Sequence, residues 1–535
     1  MQRRHWLAPV FGLLVTLIAR GYATGEAKAS PRAAADQLGK VNFPNSCFTE
    51  VQPAIEKGVA LLHSFQYLQS EQTFASVVAK DPKCAIAYWG KAMALYHQLW
   101  DFPEDKKLKE GRKDIEKAQK LSPSGPAEKG FVHASASFFQ KQSKMSHGKR
   151  IEAYSAALEQ LHAQLPEDVE VAAFYALSLV SLAEEEIDAT ANLKKAISIL
   201  TPLLQQYPDH PGVAHYLIHA TDRPEFAAQG LAAARRYAAI APDSPHALHM
   251  PSHIFVRLGL WEDSIHSNTA ANESGARAAE MHEAESHYQT HAMDFLNYSY
   301  LQSGQEAKAR EVVEHTNHVV GASEESKADH RAYFAARTAL ELHRWKEAAA
   351  LTNPAARKEW QDTTQWARAI GSARSGDIAT AQAAVTKLTE LVAEREERGR
   401  KNGYKKPKEK ATDLSEAEAW LAFAQGKTED PVSELRAAAE HQEKNGGESV
   451  GIPAREMLAD MLMELKRSTE ALAEYKTVLQ HAPNRFDSLL GAARAAQATG
   501  DNSGSLAFYA KLSEVCPPGA DRPELAEAKT AVAKN

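Results

Sequence analysis

The sequence predicts an all-α fold, a right-handed superhelical solenoid of antiparallel helix pairs, and three observations predict it. A set of residue types returns after 34 positions: Ala471, Tyr475, Val478 and Pro483 recur as Ser505, Tyr509, Leu512 and Pro517. A glycine followed five residues later by a small residue occurs at Gly259 and Ser264, Gly304 and Ala309, Gly376 and Ala381, and Gly500 and Ser505. No run alternates apolar and polar residues at the period of two that a half-buried strand requires.

Each place in this frame has a physical task. The small residue lets neighbouring helices approach, the aromatic and aliphatic residues fill the space between them, and the proline stops the second helix. The glycine tolerates the left-handed backbone that ends the first helix. The same frame is present near the start of the chain as Ser70, Phe74, Val77 and Pro82, and Pro208 and Pro242 are again 34 residues apart. A 34-residue period is that of stacked helix-turn-helix repeats, each burying its apolar face against its neighbours. The arithmetic gives roughly eleven helix pairs between residues 50 and 520, with extra residues near 101–130, 276–288 and 394–412.

The remaining segments follow from composition. Arg3 and Arg4 precede an apolar run from Trp6 to Ala19, and Gly21, Ala23 and Ala27 follow it. That order predicts a signal peptide over 1–23, cleaved after Ala23 or Ala27, because the run is shorter than the ~20 residues that span a bilayer. Export to a periplasmic or extracellular location follows, with no transmembrane span in the mature chain. Beyond it we expect an N-terminal segment over 24–49 and a TPR-like array with a histidine-rich concave groove over 50–393. A charged extension over 394–412, C-terminal repeats over 413–520 and a tail over 521–535 complete the chain. The extension is dense in Lys, Arg and Glu and carries Gly399, Gly403 and Pro407. The formal net charge of -7 offers no positive field for a phosphate backbone, which excludes nucleic acid as partner.

Only three cysteines occur, and no CxxC pattern, so thiolate metal sites and thioredoxin-like centres are excluded. In an oxidising compartment we expect Cys47 to bridge Cys84, the alternative being two buried thiols, with Cys516 unpaired. Enzyme motifs are scarce: there is no GxSxG elbow, no GxGxxG turn and no GxxxxGK loop. His282, Glu283 and His287 miss the zincin spacing, since Ser286 stands where the second imidazole is needed. A non-enzymatic protein is therefore the favoured reading.

Several strings carry a closer likeness: FPNSC at 43–47, GVALLHSFQY at 58–67, DPKCAIAYWGKAMAL at 81–95, HPGVAHYLIHA at 210–220, PHALHMPSHIFVRLGLW at 245–261, HAMDFLNYSYLQ at 291–302 and PNRFDSLLGAARAA at 483–496. Together they resemble a group of exported bacterial tetratricopeptide-repeat (TPR) proteins, over most of the chain after the signal. That group has no settled activity, so the resemblance implies fold and location. Gln98 departs from it where related chains carry proline.

Histidines are the informative residues. Counting each stop proline as the thirty-second place of a unit, His215 and His219 hold the fifth and ninth places, and His249 and His253 hold the same places one repeat later. In TPR arrays these places line the concave groove, so the resemblance implies four imidazoles converging on one pocket. The quartet is the candidate metal site, for Zn or Cu, because i, i+4 pairs on adjacent helices suit imidazole ligation. Pro251 inside the second pair is expected to kink that helix. Asp294 or His291 would complete or orient the site.

The groove is expected to receive His63, His97, Tyr96, Arg223, Arg257, Asp294, Tyr298, Tyr333 and Arg337 as well. Arginine grips carboxylates with two parallel hydrogen bonds, and tyrosine adds an apolar face with a polar tip. The function these residues favour is an exported scaffold that holds a peptide, a protein partner or a small anionic ligand. The alternatives are a metal-dependent protein or enzyme built on the histidine quartet, and a purely structural assembly component.

Overall fold

The first helices of the pairs are buried on nearly every side, and this decides the architecture. Helix Val169–Glu184 exposes only its ends, and Ala85–Leu95, Pro211–Thr221 and Phe486–Ala498 are almost as fully covered. The second helices bury a single stripe: Ser70, Phe74 and Val77 in Tyr67–Lys80, Ala471, Tyr475 and Val478 in Ser468–His481, and Ser505, Tyr509 and Leu512 in Asn502–Val515. Those stripes are the residues that repeat in the sequence. The first helices therefore form an inner layer and the second helices an outer one, as residue polarity dictates.

This computed structural model describes residues 37–99, 103–140, 145–185, 187, 189–282, 285–401, 409–447 and 449–533. Twelve antiparallel helix pairs run from Gln52 to Val515, followed by the single helix Leu525–Ala533, and no strand occurs among the described residues. The all-α helix-pair array expected from the sequence is the observed fold. The signal peptide lies outside the described residues. No described helix is long and apolar enough to cross a membrane.

The array does not stay open. Helix Gln52–His63 packs on Pro211–Thr221, four pairs further along, closing a ring of inner helices. Gly212 makes that contact possible, since a Cβ there would stand 2.3 Å from the His63 ring. The preceding strip reinforces it: the Lys40 amide donates to Asp209 O at 2.9 Å, while Phe43 stacks against both Trp89 and Phe131. A second closure joins the middle of the chain to its end. Trp261 Nε1 donates to Asn484 O at 3.0 Å, Asn484 Nδ2 returns a bond to Gly259 O at 3.1 Å, and the Asp521 and Arg522 amides both donate to Gly304 O. Gly259 sits at φ 66° with Pro483 O 2.2 Å from the position of a Cβ, so only glycine fits there.

Helices also run into the charged extension and the tail. The charged extension does not interrupt the array: Ile378–Lys401 continues as one helix through residue 401, and Arg395 bridges Asp362 and Asp413. Residues 402–408 lie outside the described residues. The tail is integrated, with Arg522 2% exposed and Leu525 buried.

Cys47 and Cys84 are joined, with Cα atoms 4.8 Å apart across a separation of 37 residues. Cys516 is free and half-buried. Closing a loop of that length stabilises by roughly 3 to 4 kcal/mol on the chain-entropy account. Replacing both cysteines by serine should lower the unfolding free energy by about that amount in urea; an unchanged midpoint would show that the strip over 37–49 is held by Phe43 and its hydrogen bonds instead.

Candidate metal centre

Among the described residues, five groups of three potential ligands bring their donor atoms within 4.8 Å of one another. Three are already satisfied. Cys47, Asp81 and Cys84 include the disulfide. Glu341, Glu456 and Asp487 are ion-paired to Arg485 and Arg522. In the third, Glu170 accepts from His63 Nε2 at 2.7 Å and from His210 Nε2 at 3.1 Å, while the other ring nitrogens pair with Tyr216 OH and the Val213 amide. Burial works against the Glu170 charge, but His210 and His63 outweigh it and hold the carboxyl down at about 2.

The other two groups are all-histidine: His215, His219 and His246, and His249, His253 and His291. In the first, Nε2 of His215 stands 3.0 Å from Nε2 of both His219 and His246. In the second, Nε2 of His249 and Nε2 of His253 are 3.0 Å apart, and the His291 ring centre is 4.3 Å from that of His249. The helices that carry them are neighbours, Pro211–Thr221, the broken helix Pro245–His249 and Pro251–Arg257, and His287–Gln302. Pro251 divides the middle helix, yet Met250 keeps helical dihedrals (φ -53°, ψ -35°), so the i, i+4 pair survives the break.

The outer nitrogens fix the inner ones. His215 Nδ1 lies 2.6 Å from the His63 carbonyl oxygen, which can only accept, so Nδ1 donates and Nε2 carries a lone pair. His253 Nδ1 donates to Asp222 Oδ2 at 2.8 Å. His249 Nδ1 donates to Asn268 Oδ1 at 2.6 Å, and the Asn268 amide is oriented by its own bond to Ser264 O. With both rings neutral, the Nε2 atoms of His249 and His253 face each other at 3.0 Å, each with a lone pair. Burial pushes His215 and His249 down to about 3 and lowers His246 well below the usual imidazole value, so these rings are neutral at pH 7.

Each triad is packed around one phenylalanine. Phe65 lies 4.4, 5.6 and 5.4 Å from the rings of His215, His219 and His246. Phe295 lies 4.8, 4.7 and 5.4 Å from His249, His253 and His291. Phe65 has φ 55° in an inter-helix turn, the left-handed place that Gly259, Gly304, Gly376 and Gly500 fill in other units. His343 and Lys466 hold the same left-handed place in their units, so the conformation belongs to the turn, and what sets Phe65 apart is its packing on three imidazoles.

The sequence-predicted residues are distributed as follows. The four histidines of the quartet do gather, with His219 and His253 ring centres 6.3 Å apart, but they form two triads and not one four-ligand site. His246 and His291 supply the third members. Asp294 belongs to neither triad and is paired to Arg337 at 2.5 Å. Arg337 is buried and also donates to Asn297 Oδ1 and Val450 O, and Arg257 donates to Asp222. These hydrogen bonds of both arginines are made within the chain. Arg223 lies against Gly446, and the Tyr333 ring lies under the Arg337 guanidinium. Tyr298 accepts from Arg485, and Tyr96 is buried on Phe138. His63 belongs to the Glu170 network, and His97 stacks on Tyr67, 4.6 Å between centres.

His246, Phe65 and Phe295 were missed by sequence reasoning. His246 holds the second place of its unit, where the preceding unit has Gly212, so repeat equivalence pointed away from it. Its spacing of three from His249 was the available signal.

No protein family and no curated protein matches the sequence. Among solved structures, a human IFIT1 dimer with m7Gppp-AAAA is 12% identical with a TM-score of 0.35, over 81% of this chain and 90% of that chain. Yeast Tom70 is 10% identical with a TM-score of 0.32, over 91% of this chain and 96% of that chain. Overlays this loose carry no argument about the site, which stands on its own geometry.

Proposed function

We propose that this protein is a metalloprotein whose interior holds two transition-metal ions, one at each histidine triad. The observation that carries the reading is the facing pair of His249 and His253. Their Nδ1 protons are committed to Asn268 and Asp222, so two lone pairs meet at 3.0 Å in a buried pocket. Lone pairs so placed repel each other unless a proton or a metal ion lies between them. A cation at ~2.0–2.1 Å from each nitrogen meets that need, and ring nitrogens held from behind by a carbonyl, an amide oxygen and a carboxylate are the usual outer shell of histidine metal sites.

Imidazole suits zinc and copper alike. The Cys47–Cys84 bridge supports the exported, oxidising setting read from the N-terminus. The anionic-ligand scaffold is less well supported, because Arg257 and Arg337 already hold Asp222 and Asp294.

The test is metal analysis of the full chain purified without an affinity histidine tag. Two ions per chain are expected, falling to one in each of the His219→Gln and His291→Gln variants. Asp222→Asn should keep both ions at saturation but weaken binding at the second triad by about 10- to 100-fold. Protein that carries no metal, and whose melting temperature ignores added Zn²⁺ and Cu²⁺, would refute the proposal.

A further inference from the structure

Resting on the two-ion reading, we infer that the metal is copper and that the two ions act as a pair, reducing one dioxygen molecule by two electrons. Charge is the first argument. All six donors are imidazoles, which ligate a metal in the neutral form, and no carboxylate belongs to either triad. The nearest acids are already balanced, Asp222 by Arg257 and Asp294 by Arg337. Two Zn²⁺ ions would place four positive charges in a buried pocket with no fixed anion to offset them, at a large desolvation cost. Two Cu(I) ions bring half that charge. Zinc on three imidazoles takes a water as its fourth ligand and keeps its full double charge, whereas three imidazoles satisfy Cu(I) alone.

Spacing is the second argument. The triads share a wall: His219 and His253 ring centres are 6.3 Å apart, and those of His246 and His249 are 6.2 Å apart. Two one-electron ions this close can serve one small molecule. With three protein donors each, both ions keep a position for it. Phe65 and Phe295 shield one side of each triad, and His219, His253 and His291 are partly exposed, which leaves that side for entry. The electron count balances: each Cu(I) gives one electron to become Cu(II), dioxygen gains two to reach the peroxide level, and no other reductant is consumed in that step.

The experiment loads the untagged full chain with Cu(I) under argon, competes it with equimolar Zn²⁺, and then admits air. Copper retained at two per chain, with one dioxygen consumed per two coppers, is the expected result. His219→Gln and His291→Gln, at partly exposed positions, should each leave one copper and lower that uptake by at least about tenfold. Zinc displacing the copper overturns this inference and leaves the two-ion reading intact. Copper that stays but consumes no dioxygen overturns the paired reaction. A chain that takes up neither metal overturns both readings.

Discussion

Lowering the pH from 7 to 5 should reduce the unfolding free energy of the metal-free protein by roughly 4 kcal/mol through two buried histidines. Burial holds His215 and His249 down at about 3 in the folded chain, against 6.5 when unfolded. A group whose folded pKa is depressed stabilises above the unfolded value and loses that contribution as pH falls toward the folded one. Between 6.5 and about 3 the unfolded chain takes up protons that the folded chain refuses, at about 1.4 kcal/mol per pH unit for each ring. His246 and His63 are shifted the same way and can only add to the slope. Glu170 and Asp222 are also depressed, and their contributions are lost as pH falls through the ordinary carboxylate range, below the span tested. Urea denaturation in the presence of a chelator, at pH 7, 6 and 5, measures the effect. A midpoint independent of pH over that range would mean that the rings are already protonated or hydrated in the folded state.

The histidines also show how far the sequence could be read. Residues that repeat announce themselves, so the outer stripe of Phe74, Tyr475 and Tyr509 and the equivalent pairs His215/His219 and His249/His253 were legible from spacing alone. Closure was not. It depends on contacts such as His63 with Gly212 and Trp261 with Asn484, which join residues 149 and 223 positions apart and leave no periodic trace. An open array and a closed one differ only in whether the inner helices are covered on both faces. Helix Val169–Glu184, apolar all round, carried that information. The division of the quartet into two triads was hidden for a related reason: His246 and Phe65 each break the repeat pattern, and a reading built on equivalence discards residues that differ from their equivalents.

Arg485→Met should destabilise the protein by about 3 to 5 kcal/mol, because it removes one partner of a fully buried ionic network. The guanidinium is 0% exposed and holds Glu456 through Nε and Nη2 at 2.7 and 2.8 Å, Glu341 through Nη2 at 2.8 Å, and Tyr298 OH through Nη1 at 3.0 Å. Glu341 and Tyr298 belong to the middle of the chain, 144 and 187 residues away, so this one side chain joins the two ends of the second ring. Methionine fills similar volume without charge, leaving two carboxylates in the interior with no cation beside them except Arg522, which is held by Asp487. The triple variant with Glu341→Gln and Glu456→Gln should recover part of the loss, since the uncompensated charge is then gone; what it does not recover measures the hydrogen bonds alone. Arg485→Lys should fall between, because one ammonium cannot reproduce a planar fork serving two carboxylates. Thermal and urea unfolding of the four proteins at pH 7 decide the matter. If Arg485→Met were as stable as the parent, the ring would be held by its apolar contacts at Phe486 and Leu489, and the buried charges would serve register and not stability.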